Sequence, residues 1–298
     1  MRDFCLFAHF DKDGVVDDYV LRYLKHIREL NFSIVFVSTA RLPSSEVERV
    51  RSDCFDVILR ENVGLDFASW AAGLAKHNAA IDGRLLLAND SVYGPIGSLS
   101  AAVDRLTSGP ADFYGFVESI EIAPHLQSWF LLFEQGVVRH PAFSAILSRS
   151  YSAMSKRQII FQGEVDLSRR LTGDGFRYNA LYRSSQASLV ECCLLGNPSH
   201  FLWQELLFDQ AIPFLKVELL RDNPLGLEDG ETILAAVNRL DPEFAGVIGR
   251  HLARVRTEDR RGRHPSAARR LLSHCRSRLI RNAYRRARKL RSPVNAAP

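Results

Sequence analysis

The residues with a chemistry to explain begin at Asp90. In LLLANDSVYGP (85–95) an apolar run stops at Asn89-Asp90-Ser91 and the chain turns at Gly94-Pro95. Residues 85–87 read as a short strand buried on both faces. A carboxylate just past such a strand lies at the carboxyl edge of a sheet, where open α/β folds bind ligands; the same residue also suits a turn. In ENVGLDFASW (61–70), Asn62 and Gly64 would let backbone approach a ligand, and the following helix offers free N–H groups. That stretch equally fits a tight turn capped by Asp66. GEVDLSRRL (163–171) carries Glu164 and Asp166 at an expected helix start, and by itself is an amphipathic helix with Leu167 and Leu171 on one face. FDKDG (10–14) sets Asp11 and Asp13 one residue apart directly after a strand.

The elements that would position these groups alternate regularly. Residues 4–10 form an expected strand, 17–31 a helix with Val20, Leu21, Leu24, Ile27 and Leu30 at helical spacing, and 33–38 a second buried strand. Ser45 and Glu48 have the spacing of a capping box for a helix ending near 51. A short strand at 57–59, a helix at 67–78, the strand at 85 and a helix at 99–106 complete a βαβαβαβα order. That order predicts an α/β fold whose mostly parallel sheet is covered by helices on both faces. Beyond Gly109-Pro110 the pattern becomes irregular, with strands at 112–118 and 128–133, helices at 142–152 and 165–171, and a late strand at 216–220.

The net charge of +5 hides an asymmetry. Residues 254–291 carry 15 Lys/Arg against two acids, leaving the rest of the chain at −8. The expected organisation is a catalytic body over 1–252 and a basic helical tail over 253–298. In the tail, Leu271, Leu272, Leu279 and Ile280 are surrounded by arginines, a composition suited to lying on an anionic cytoplasmic membrane leaflet. Five cysteines, with no C-x-x-C pair, suggest neither a disulfide framework nor a zinc site. No leader-like or membrane-spanning run is expected, so the body is assigned to the cytoplasm, peripheral on the inner membrane face. A nucleic-acid-binding role, suggested by the tail alone, finds no second basic surface and no base-reading motif.

Two resemblances give these residues roles. FDKDG resembles the nucleophile motif of haloacid-dehalogenase-type phosphatases, which would make Asp11 the attacking group, Asp13 the acid/base and Mg²⁺ the counter-charge. The second acid that such a site needs a few residues after Asp90 is missing. The larger resemblance runs over about residues 2–226. ENVGLDFASW, LLLANDSVYGP, HLQSWFLLF, GEVDLSRRL, Gly196-Asn197-Pro198 and PFLKVELLRDNP occur in the order seen in the rhamnan synthesis protein F family. That family is similar to glycosyltransferases of bacterial surface polysaccharides and to the glycosyltransferase A fold, a Rossmann-like nucleotide-sugar-binding sheet.

The resemblance implies transfer of a sugar, rhamnose by the family's name, from a nucleoside diphosphate donor to a growing or lipid-linked glycan. It implies donor contacts from His9, Ser38, Thr39, Asn62, Gly64, Asp66, Asn89, Asp90, Ser91 and Lys216. Where that fold usually has Asp-x-Asp, this chain has Ala88-Asn89-Asp90, so Asp90 alone would hold Mg²⁺ or Mn²⁺, with His125 as an extra candidate ligand. Glu164 falls at the position of the catalytic base of inverting members. Glu118, Glu121, His125 and Gln127 are candidates for the acceptor side.

Overall fold

The computed structural model describes residues 1–184, 197–223 and 229–259. Cys192, Cys193, Gly196, Pro224, Cys275 and the basic segment 260–298, with its four apolar tail residues, lie outside the described residues.

Its first half follows the expected alternation: β1 (Phe4–His9), α1 (Asp18–Glu29), β2 (Ser33–Ser38), α2 (Ser44–Arg51), β3 (Asp56–Leu59), α3 (Leu65–His77), β4 (Leu85–Asn89), the short β5 (Val92–Tyr93) and α4 (Leu99–Leu106). Strands β3-β2-β1-β4 lie side by side and parallel. Every residue of β1 and β4 is buried, as expected of strands covered on both faces. Their side chains alternate between two cores. Cys5, Phe7, Leu86 and Ala88 pack on the side of α1 and α4, whereas Phe4, Leu6, Leu85 and Leu87 pack against Phe67 and Trp70 of α3.

The second half extends the same sheet. β6 (Phe113–Ser119) runs antiparallel to β8 (Phe130–Phe133), and β8 runs antiparallel to β4. β7 (His125–Leu126) continues along β6 beyond a break at 127–129. The helices α5 (Gln135–Val138), α6 (Pro141–Leu147), α7 (Lys156–Ile159) and α8 (Asp166–Gly173) follow, and β9 (Tyr178–Tyr182) adds to β6 in parallel. The sheet is therefore mixed, with its parallel block at one end. The carboxyl ends of β1, β2, β3, β4, β6 and β9 share one edge.

Several local expectations are corrected. The Ser45/Glu48 capping box does not form: the helix begins at Ser44 after Pro43, without a side-chain cap, and Glu48 pairs with Arg51 instead. Asp66 is not a cap either, because α3 starts one residue before it, after Gly64. The late strand at 216–220 shrinks to β10 (Leu215–Lys216), and Val217–Arg221 is a helix. Glu164 does not open a helix. It lies in a π-helical segment, Ile160–Val165, that joins α7 to α8 without a break, so no free helix amino end surrounds it.

The helix Pro242–Asp259 crosses position 252. Two residues later Arg254 is bound to the body, reaching Asp11 at 2.6 Å, Asp13 at 2.6 Å and Asp17 at 2.5 Å. No helix among the described residues is long and apolar enough to cross a membrane.

Candidate functional site

The carboxyl edge of the parallel block gathers most of the singled-out polar residues. β4 ends at Asn89, and its continuation is diverted there. Asp90 donates its amide to Ala8 O (3.3 Å), while its Oδ2 accepts the Phe10 amide (2.8 Å) and its carbonyl accepts the Tyr19 hydroxyl (3.1 Å). The break in LLLANDSVYGP thus ties Asp90 to the end of β1. Burial raises its carboxyl to about 8 against the lowering by the Phe10 amide, and the charges of Asp66 and Asp11 push the same way as burial.

Asp66 arrives from α3. Gly64 (φ 73°) and Leu65 (φ 51°) are both left-handed, a conformation costing about 1–2 kcal/mol for a residue with a side chain. The bend presents Asp66 to β4, where Asn89 Nδ2 donates to its Oδ2 over 2.8 Å. Asp66 is raised to about 6, chiefly by burial and further by Glu164, while Lys216, Asn89 and Lys156 oppose the shift. Asn89 Oδ1 takes the Ser91 hydroxyl at 2.6 Å and the Ser91 amide at 3.1 Å. Gly64 is required by packing rather than by ligand approach: a Cβ there would come within 2.6 Å of Ala68 and 2.9 Å of Tyr151.

Lys216 enters through a two-stranded ribbon. β10 pairs with β5, setting Lys216 opposite Val92, and its Nζ lies 3.4 Å from Ser91 Oγ. Burial lowers its pKa, while Glu164, Asp66 and Glu218 pull it up. Glu164 thus belongs to the same electrostatic cluster as Asp66 and Lys216. Its Oε1 accepts the Ser128 amide at 2.8 Å and lies 3.8 Å from His125 Nε2. Gly163 holds this turn close: a Cβ would stand 2.9 Å from the Phe67 ring.

The other anticipated residues are engaged elsewhere. His9 and Ser38 are buried against each other, Nδ1 to Oγ at 2.9 Å, and burial lowers the His9 ring to about 4. Thr39 is half-buried beside them, and Asn62 is exposed on the loop before α3. Glu118 is fully buried and accepts the Tyr178 hydroxyl at 2.6 Å, whereas Glu121 is exposed. His125 Nδ1 donates to Ala123 O at 2.6 Å, leaving its other nitrogen toward Glu164 rather than assigning it to Asp90. Gln127 is a pin, donating to Asn197 Oδ1 (2.8 Å) and accepting from Trp129 Nε1 (2.8 Å) and Ser199 Oγ (2.5 Å).

Asp11 is held on both oxygens. Oδ2 takes Arg254, and Oδ1 takes the amides of Asp13 (2.8 Å) and Val15 (3.1 Å). Burial raises its pKa, but Arg254 and the two amides outweigh it and keep the carboxyl below its ordinary value. A carboxylate so bound is poorly placed to attack phosphorus, which weighs against the phosphatase alternative.

Sequence reasoning missed His200, Lys156 and Glu218. His200 stands three residues after the capping Asn197, in the helix Pro198–Phe201, and the electrostatics of Lys216 and His200 both include Lys156 and Glu218. Only the neighbouring Asn197-Pro198 motif hinted at this helix.

The family model described as rhamnan synthesis protein F matches residues 34–261. A virulence protein, VirA, from Vibrio anguillarum is 27% identical over 285 residues, covering 83% of this chain and 90% of its own length. An uncharacterised protein, y4gN, from Sinorhizobium fredii is 28% identical over 186 residues, covering 60% of this chain and 48% of its own. A cytidylyltransferase structure from Leptospira borgpetersenii is 13% identical, covers 75% of this chain and 95% of its own, and superposes with a TM-score of only 0.35, too low to carry an argument.

Proposed function

Because the chain belongs to the rhamnan synthesis protein F family, we propose that it is a glycosyltransferase. It moves a sugar, rhamnose by the family's name, from a nucleoside diphosphate donor to a growing surface or lipid-linked glycan. The observation that carries this reading is the meeting of Asp66, Asp90 and Lys216 at the sheet's carboxyl edge. Two carboxylates raised to about 6 and about 8 beside a half-buried lysine are unfavourable in isolation. Shifted pKa values of this kind cluster at functional sites.

Among the described residues no group of three or more His, Cys, Asp or Glu side chains is arranged to hold a metal. Mg²⁺ is nevertheless often bound through one or two carboxylates plus substrate phosphates and water. Asp90 fits that limited role, since among the described residues its Oδ2 takes the Phe10 amide and its Oδ1 has no side-chain donor. A divalent ion there would neutralise charge on the leaving diphosphate.

In the transfer, an acceptor hydroxyl oxygen bonds to the anomeric carbon while the bond to the diphosphate oxygen breaks, its electron pair leaving with the diphosphate. Glu164 takes the hydroxyl proton, and the configuration inverts. Its Oε1 is steadied by the Ser128 amide, as a positioned base needs. His125, beside Glu164, and the exposed Glu121 border the acceptor side, while Glu118 and Gln127 support it from within. The body extends past the expected boundary at 252 through the helix Pro242–Asp259, whose Arg254 is bound to it. The basic segment beyond 259 holds the enzyme to an anionic membrane face, where a lipid-linked acceptor would be met.

A thermal-shift screen of nucleoside diphosphates and their sugars, with and without Mn²⁺, tests the reading, because a ligand bound only by the native state raises its melting temperature. A rise confined to one nucleotide family supports it; no rise with any donor would remove it.

A further inference from the structure

Three basic side chains lie next to the Asp66/Asp90 edge; among the described residues Lys216 and Lys156 have no ion pair, and His200 meets Glu218 only at 3.8 Å. Among the described residues, Lys216 Nζ makes a single hydrogen bond, to Ser91 Oγ at 3.4 Å, and no carboxylate lies within ion-pair distance of it, although Asp66, Glu164 and Glu218 are near enough to influence it. Lys156, at the start of α7, has no ion pair among the described residues, and its charge acts on Asp66, Lys216 and His200 alike. The Nε2 atom of His200 is buried without a hydrogen-bond partner, 3.8 Å from Glu218 Oε2. His200 is not a loose surface group. Asn197 caps its helix through the Ser199 amide at 3.0 Å, and Gln127 anchors Asn197 in turn.

An unpartnered buried polar atom costs about 1–3 kcal/mol, and a lysine drawn out of water costs more unless an anion meets it. His200 and Lys216 are such groups, the helix of His200 packs against β10, and the exposed Lys156 adds a third charge that acts on both; together they match a ligand with several acceptor oxygens. We propose that Lys216, His200 and Lys156 form a cradle for a pyrophosphate group, so that the diphosphate of the donor is held by this chain's own cations. The choice of a nucleoside diphosphate as the natural ligand rests on the glycosyltransferase reading; the anion chemistry does not.

The arrangement separates the two charges of the site. Asp90 would hold a divalent ion and Glu164 would take the acceptor proton, while the basic cradle would take the leaving diphosphate. Lone burial would keep the His200 ring neutral; Glu218 opposes that shift, and Lys216 and Lys156 reinforce it. A diphosphate would neutralise both lysines, removing their opposition to a proton on His200. The ring then donates from Nε2 to a phosphate oxygen.

The test is isothermal titration of the full-length chain with inorganic pyrophosphate in EDTA, so that no metal assists. Wild type should bind, with H200Q and K216M each weakening affinity about tenfold and K156M about threefold. In parallel, the His200 ring resonances of wild-type protein should shift on titration, a readout that does not depend on any variant folding. Absence of metal-free binding, unchanged affinity in both H200Q and K216M, or an unmoved His200 signal at saturation would overturn the cradle. Binding of pyrophosphate through these residues with no response to any nucleoside diphosphate sugar would leave the cradle standing and remove the glycosyltransferase reading. Sugar transfer whose donor affinity ignores H200Q and K216M would do the reverse.

Discussion

Asn89 Nδ2 donates to Asp66 Oδ2 over 2.8 Å, joining the end of β4 to the first turn of α3. This one bond brings the two carboxylates of the site together, since Asp90 is the next residue in the chain. Asn89 occupies the position where an Asp-x-Asp pattern would have its first acid. Here the amide organises Asp66 and Ser91 around it. An acid at position 89 would face Asp66 with like charge, so the asparagine makes physical sense with Asp66 as the second carboxylate.

The pair should be visible in the pH dependence of stability. Ordinary aspartates titrate near 3.9 in an unfolded chain, whereas Asp66 and Asp90 are raised to about 6 and about 8. The native state therefore keeps protons that the unfolded chain has released, and this contribution to stability falls as pH rises from about 4 to 8. Buried His9, lowered to about 4, works the opposite way below about 6.5, so the carboxyl contribution is read from urea midpoints of the ligand-free variants against wild type. D66N should remove a falling component between about pH 4 and 6 and D90N one between about pH 4 and 8; slopes parallel to wild type would mean the two groups titrate normally.

Gly163 offers a packing test. Phe67 is buried between Trp70 and Tyr151, so its ring has little room to yield to a Cβ at 2.9 Å. G163A should cost about 1–3 kcal/mol, the usual range for overpacking, and should displace Glu164. Denaturant unfolding and turnover are both informative, and a variant as stable as wild type would show that the π-helical segment can relax.

Much of this was legible in the sequence, for a reason that also marks the limit. The strands 4–9, 33–38 and 85–89 are apolar throughout because both faces are covered, and such runs are recognisable without context. β9 was not recognised: Asn179 and Arg183 break up the pattern, and the strand exists by pairing with β6. At 216–220 an apolar pattern suits either a strand or a short helix, and only the pairing of Lys216 with Val92 decides where one ends. Asp90 and Glu164 were singled out through motifs. His200 joins the site only through non-local packing, which spacing does not encode.

Arg254 makes a boundary prediction. It meets Asp11, Asp13 and Asp17 together, so truncation after Leu252 removes their shared cation. That protein should lose about 1–3 kcal/mol, less than the 3–5 of a fully buried pair because Arg254 keeps 26% of its side-chain surface in solvent. Truncation after Asp259 should keep full stability and lose only salt-sensitive flotation with anionic liposomes. Equal flotation of the longer truncation and the full chain would show that the basic segment does not bind membrane.

Glu164→Gln separates chemistry from binding. It keeps the size and most of the hydrogen bonding of the side chain while deleting the basic oxygen. Turnover should fall about 10²- to 10⁴-fold, the usual contribution of a placed general base, with donor affinity nearly unchanged. Near-normal transfer would exclude Glu164, and the exposed Glu121 would be tested next.

The central claim is that a nucleoside diphosphate sugar binds at the carboxyl edge through Asp90 and its neighbours. Isothermal titration of the donor found by thermal shift, into wild type and D90N at matched melting temperature with Mn²⁺ present, measures it directly. At least a tenfold loss of affinity in D90N, with folding intact, is the predicted result. Equal affinities for the two proteins would contradict the account and reduce Asp90 to a turn residue.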